Sequence, residues 1–182
     1  MLKRYGMNHA LLLAAMCLMF VGCIPVKNVE KAWKNAKADE ALVGQWVGKN
    51  DSDTKVGFVK TDQDFLITSG TSGLEGGCRS VETNGHKYIV VAKLRAAVLG
   101  FDQVDADTKD GTLLRYKVEG DKLTMYTYSD DLIKAAVKAG KVPGEIDEND
   151  SATLTELDAA TIKWLGEIAD GQGWDAQEYK RK

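Results

Sequence analysis

From Ala41 to Tyr128 apolar and polar residues alternate in short runs, the period of strands with one buried face. Strands are expected over residues 42–49, 55–61, 65–69, 78–83, 86–94, 112–119 and 122–128, with turn residues between them. Asn84-Gly85 separates two alternating runs and marks a two-residue hairpin loop. That loop pairs Thr83 with His86, Val81 with Tyr88 and Cys78 with Val91. Glu119-Gly120 marks a second hairpin, where Gly supplies the positive φ of a tight turn.

After Tyr128 the period lengthens to that of helices. Ser129 caps the first, Asp130 and Asp131 sit at its positive end, and Leu132, Ile133, Ala136 and Val137 form its apolar stripe. Gly140 ends it before Pro143, and 141–151 is a polar loop. Thr155 to Asp158 has the spacing of a capping box, with Asp in the Glu/Gln place. Leu157, Thr161, Trp164, Leu165 and Ile168 follow down one face, Gly171 and Gly173 end the second helix, and Trp174 and Tyr179 dock the tail. Upstream, residues 24–40 form a tether ending in a short helix, with Val29, Trp33 and Ala36 at helical spacing. Lys27, Lys31 and Lys34 make a basic stripe there, either solvated or laid on anionic headgroups. The expected fold class is mainly β (α+β). It is an antiparallel meander curled or closed into a small barrel, with a short N-terminal helix and two C-terminal helices.

Composition agrees with one folded domain: 182 residues, 44% apolar and 28% charged, with no repeat. The N-terminus stands apart. Lys3 and Arg4 precede an uninterrupted apolar run of 12 residues, 10–21, short of the ~20 that span a bilayer. Phe20-Val21-Gly22-Cys23 closes the run and resembles the lipobox of bacterial lipoproteins, with Phe where Leu is usual. The resemblance implies removal of residues 1–22 as signal peptide and a lipid on Cys23. Ile24 at mature position 2 resembles lipoproteins sent on to the outer membrane of a Gram-negative cell. A non-lipidated secretory peptide and a spanning anchor are the alternatives; the run stretches to 17 residues only through Gly22 and Pro25.

Without residues 1–22 the net charge moves from −3 to −5, which argues against a nucleic-acid partner. Cys78 is then the one cysteine besides Cys23, so no internal disulfide forms and Cys78 reads as a packing residue.

Gly44-Gln45-Trp46 in the first strand of the 41–182 domain resembles the Gly-X-Trp start of lipocalins. In that family the Gly permits close packing and the Trp plugs the closed end of the barrel. The family pairs this Trp with a late arginine, a place Arg115 comes late enough to fill. The Gly-Asp-Lys-Leu-Thr turn followed by two short helices also resembles envelope lipoproteins of uncharacterised activity, from which no chemistry carries over.

Catalytic and metal constellations fit poorly. The hairpin register puts Cys78 and His86 on opposite faces, about 17 Å apart at ~3.3 Å per residue, beyond the ~3 Å reach of a dyad. His86 reads as a rim or turn residue. Ser69 and Ser72 lack Gly-X-Ser-X-Gly spacing. Asp102, Asp105, Asp107 and Asp110 miss the calcium-loop pattern at Lys109 and Asp110, and Asp51 with Asp53 misses it at Lys55. The glycines of 70–77 lack the Lys-Ser/Thr of a phosphate loop. No metal, cofactor or catalytic residue is therefore expected. The sequence supports a membrane-anchored, non-catalytic binding module for an apolar small molecule, or else an accessory protein that binds another envelope protein.

Overall fold

A computed structural model describes residues 24–62, 66–70, 76–92, 111–168 and 173–182. The protein is mainly β. Its strands are β1 (Ile24–Val26), β2 (Gly44–Gly48), β3 (Lys55–Lys60), β4 (Leu66–Gly70), β5 (Gly76–Thr83), β6 (His86–Ala92), β7 (Gly111–Glu119), β8 (Lys122–Tyr128), β9 (Gly144–Ile146), β10 (Ala152–Leu154) and β11 (Trp174–Arg181). Helix α1 (Glu30–Asn35) and a 3-10 turn (Glu40–Leu42) precede β2; α2 (Asp130–Lys138) and α3 (Ala159–Glu167) lie between β8 and β11.

The strands join one sheet in the order β6-β5-β4-β3-β2-β11-β8-β7-β1-β10-β9, and β6 also pairs with β7. All seven strands expected between Ala41 and Tyr128 are present, with ends moved by one or two residues. Thr83 pairs with His86, Val81 with Tyr88 and Cys78 with Val91, as the hairpin loop requires. Asn84 (φ 49°) and Gly85 (φ 75°) both take the left-handed conformation of a type I′ turn. The second hairpin turns between the expected strand ends. Glu119 still pairs with Lys122, and Gly120 (φ 62°) and Asp121 form the loop.

Four expectations are corrected. The sheet is mixed, because β1 runs parallel to β10. The chain does not end in helices: β11 inserts antiparallel between β2 and β8. The polar loop 141–151 contains β9, which pairs with β10. The tether is part of the folded body: Ile24 and Val26 are 1% exposed and pair with Leu113 and Gly111 of β7. Val29, Ala32 and Ala36 of the α1 segment are buried as well.

The end of α2 and the start of α3 behave as local chemistry dictates, with one change of residue, whereas Ser129 stands at the N-cap of α2 without a side-chain capping hydrogen bond. Gly140 (φ 65°) terminates α2 in a Schellman motif: Lys141 N–H donates to the Ala136 carbonyl and Gly140 N–H to the Val137 carbonyl. The α3 cap is Asp158 itself, accepting from Thr161 N–H at 2.7 Å, rather than Thr155.

Side chains alternate between two apolar clusters. Trp46, Phe58, Leu66, Cys78, Ile89, Leu114, Tyr116, Leu123, Met125 and Tyr179 meet on one face of the sheet. Tyr88, Val90, Leu113, Tyr128 and Trp174 point the other way, where β1, β10, α1, α2 and α3 cover them. This double covering explains why β6 reads Tyr-Ile-Val-Val-Ala without polar interruption. The outer face of β3 carries no such layer at Val59, which is 60% exposed.

Candidate functional site

Three constellations of polar and aromatic side chains stand out from the apolar packing. The first is a clasp around Trp46. Its ring is fully buried and its Nε1 donates to the Leu42 carbonyl at 2.8 Å. The Arg181 guanidinium lies 4.2 Å from the ring centroid. Arg181 also donates to the Val43 carbonyl (2.5 Å) and the Ala41 carbonyl (2.7 Å). The last residue of β11 therefore satisfies carbonyls at the 3-10 turn while stacking on Trp46 of β2. Gly44 (φ 129°) leaves room for this, since a Cβ there would sit 3.1 Å from Arg181 Nη1. The late arginine beside the Gly-X-Trp strand is thus Arg181. Arg115 is on β7 with its side chain directed to the opposite face, over Tyr126 and Trp174.

The second is a polar relay at the same end of the strands. Lys87 Nζ donates to Asp39 Oδ2 at 2.8 Å, and the Tyr116 hydroxyl donates to the same oxygen at 2.5 Å. Ala41 N–H donates to Asp39 Oδ1 at 3.0 Å, and Ser80 Oγ is hydrogen-bonded to the Tyr116 hydroxyl. Burial raises the Asp39 carboxyl, but the hydrogen bonds from Lys87, Tyr116 and Ala41 outweigh it and leave the group below its ordinary 3.8. Burial and the Asp39 carboxylate push the Tyr116 phenol far up. Tyr116 therefore keeps its proton and donates a hydrogen bond to Asp39, so the group that Ser80 meets is a neutral phenol and not a base. The relay instead fixes segment 36–43 to the sheet, beside the backbone bridge between Lys37 and Ser80.

Asp39 has a lowered folded pKa, so its contribution is complete above the ordinary 3.8 and is lost as pH falls through and below that value. Asp39→Ala is expected to cost about 2 kcal/mol at pH 7, the scale of hydrogen bonds to a charged group. The difference from wild type shrinks steadily below pH 3.8. Urea denaturation of both proteins from pH 7 to pH 3 measures it; a constant difference would remove the carboxylate from the account.

The third constellation lies on the opposite face. Arg115 is 5% exposed and its Nη2 is 2.9 Å from His86 Nδ1. A guanidinium only donates, so His86 accepts through Nδ1. The Arg115 guanidinium sits 4.6 Å from the Tyr126 ring centroid and 5.5 Å from that of Trp174. Trp174 meets Tyr128 edge-on at 4.5 Å. This is packing on the second face of β7 and β8, with Tyr128 and Trp174 both buried.

Among the described residues, those singled out in the sequence are not brought together. Cys78 is a free, buried thiol, and burial pushes its pKa up to about 12, so it stays protonated. It lies on the Trp46 face, whereas His86 bonds Arg115 on the other. Asp51 is used within its own turn, accepting from Asp53 N–H (3.0 Å) and the Thr54 hydroxyl (2.6 Å). Lys27 pairs with Glu145. Cys23, Ser72, Asp102, Asp105, Asp107 and Asp110, the loop 71–75, and the side chains of Lys31, Trp33 and Ser69 lie outside the described residues. Among the described residues no three His, Cys, Asp or Glu side chains are grouped to hold a metal ion, and no helix is long and apolar enough to cross a membrane. Sequence reasoning missed Asp39, Tyr116, Ser80 and Lys87, which come from four separate segments. The one local signal was Asp39 as the cap of the 3-10 turn.

No protein-family model, curated protein or solved structure matches the chain.

Proposed function

We propose that this chain is an envelope lipoprotein, anchored through a lipid on Cys23, whose domain acts by binding rather than by catalysis. In this reading β2 to β8 and β11 close into a small lipocalin-like barrel. Pairing of β6 with both β5 and β7 supports the closure, and the stacking of Arg181 on Trp46 supports the likeness. In a Gram-negative cell, Ile24 after the lipidated cysteine directs the protein to the outer membrane.

The nature of the partner turns on one observation. The face that would form the barrel interior is filled by its own large side chains: Trp46, Phe58 and Leu66 are 0–1% exposed, and Tyr116 and Tyr179 are 2%. A pocket elsewhere, between α1, α3 and the sheet, measures about 10 Å³, room for about one water. A small-molecule site usually needs ~300 Å³ or more. The filled interior favours a partner protein of the envelope, held at the outer surface, over an apolar molecule carried inside.

Two measurements test this. Cells fed a clickable palmitate analogue are expected to label the wild-type protein and not Cys23→Ser; equal labelling would sink the anchor. Protein crosslinked in intact cells and then purified is expected to carry one stoichiometric protein partner. A stoichiometric apolar molecule in its organic extract, with no crosslinked partner, would restore the carrier reading.

A further inference from the structure

We infer that the surface around the start of β1 rests directly on the lipid bilayer, because the anchor has no slack. The inference depends on the lipid at Cys23 proposed above. Ile24 is the residue after that cysteine, and it is already the first residue of a sheet strand, 1% exposed and paired with Leu113. Consecutive Cα atoms are ~3.8 Å apart, so the lipid-bearing residue lies within about 4 Å of a fixed point in the sheet. A flexible tether of twenty residues would give the domain about 25 Å of reach instead. With one peptide unit, the start of β1 cannot lift away from the headgroups.

The register says which residues lie level with Ile24. Val26 pairs in parallel with Leu154, which places Ile24 beside Ala152. Ala152 N–H donates to Asp130 Oδ1 at 3.1 Å, so the first turn of α2 stands at the same level. The side chains gathered here are mostly acidic: Asp130, Asp131 and Asp150 around Lys134. Such a surface gains nothing from anionic headgroups, and the covalent tie alone holds it against them. The Gly120-Asp121 turn lies at the far end of β7, about 20 Å from Leu113 at ~3.3 Å per residue.

The lipidated protein in vesicles of phosphatidylethanolamine and phosphatidylglycerol tests the geometry. Asp131→Cys supplies a labelling site, since Cys23 is acylated and Cys78 is buried; Asp121→Cys supplies the comparison. A fluorophore at residue 131 is expected to be quenched several-fold more by headgroup-attached quenchers than one at residue 121. Inserting twenty Gly-Ser residues between Cys23 and Ile24 is expected to erase that difference. Equal quenching at the two sites without the spacer, or quenching unchanged by it, would overturn the inference and leave the anchor standing. Failure of the wild type to float with vesicles would overturn both. Mature Cys23→Ser protein is expected not to float; flotation would show that charge, not the tie, brings this surface to the bilayer and would likewise overturn the inference.

Discussion

Deleting residues 174–182 is expected to abolish cooperative folding. β11 carries seven register pairs with β8 and three with β2. Its loss turns two interior strands into edges with unpaired backbone groups. It also removes one buried aromatic from each apolar cluster, Trp174 at 8% exposure and Tyr179 at 2%. A buried aromatic is worth roughly 3–5 kcal/mol against Ala, so the two together rival the ~5–15 kcal/mol that holds a domain folded. The clasp on Trp46 goes with them. The truncated protein should lose near-ultraviolet circular dichroism and resist proteases poorly. A sharp melting transition within a few degrees of wild type would show that β2 to β8 fold without their last neighbour.

Trp46→Ala is expected to destabilise the protein by about 3–5 kcal/mol, the range for emptying a fully buried aromatic site. The ring is 0% exposed and its indole N–H satisfies the Leu42 carbonyl. Arg181→Ala is expected to cost about 2–3 kcal/mol, from two charge-assisted hydrogen bonds and a cation–π contact. Because the two side chains touch, the double variant should cost less than the sum by about 1 kcal/mol or more. Arg181→Lys should recover little, since an ammonium lacks the planar fork that reaches Val43 and Ala41 while lying flat on the indole. Denaturant melts of the four proteins give the cycle. Additive costs would mean that Arg181 acts only through the backbone carbonyls and that its stacking on Trp46 contributes nothing.

Much of the fold was legible where the deciding physics is local. Alternation placed seven strands, Asn84-Gly85 fixed a register seven pairs long, and Gly140 stopped α2 where a left-handed residue was needed. That same register puts Cys78 and His86 on opposite faces of the hairpin. The clasp was half legible: the Gly-X-Trp strand marked Trp46, but the choice among arginines depended on which distant strand lies beside β2.

By itself the sequence determined the strand and helix periods and the turns, because each is written within a few consecutive residues. Tertiary structure alone decided the fate of the polar stretch Trp174–Arg181. With five of its eight residues polar or charged it has no clear strand pattern, and it becomes a strand because β2 and β8 offer backbone partners on both sides. The three-residue strands β1, β9 and β10 are too short to show a period and exist only through their neighbours. The Asp39–Tyr116–Lys87 relay joins side chains up to 77 positions apart, a proximity that folding creates and no local pattern encodes.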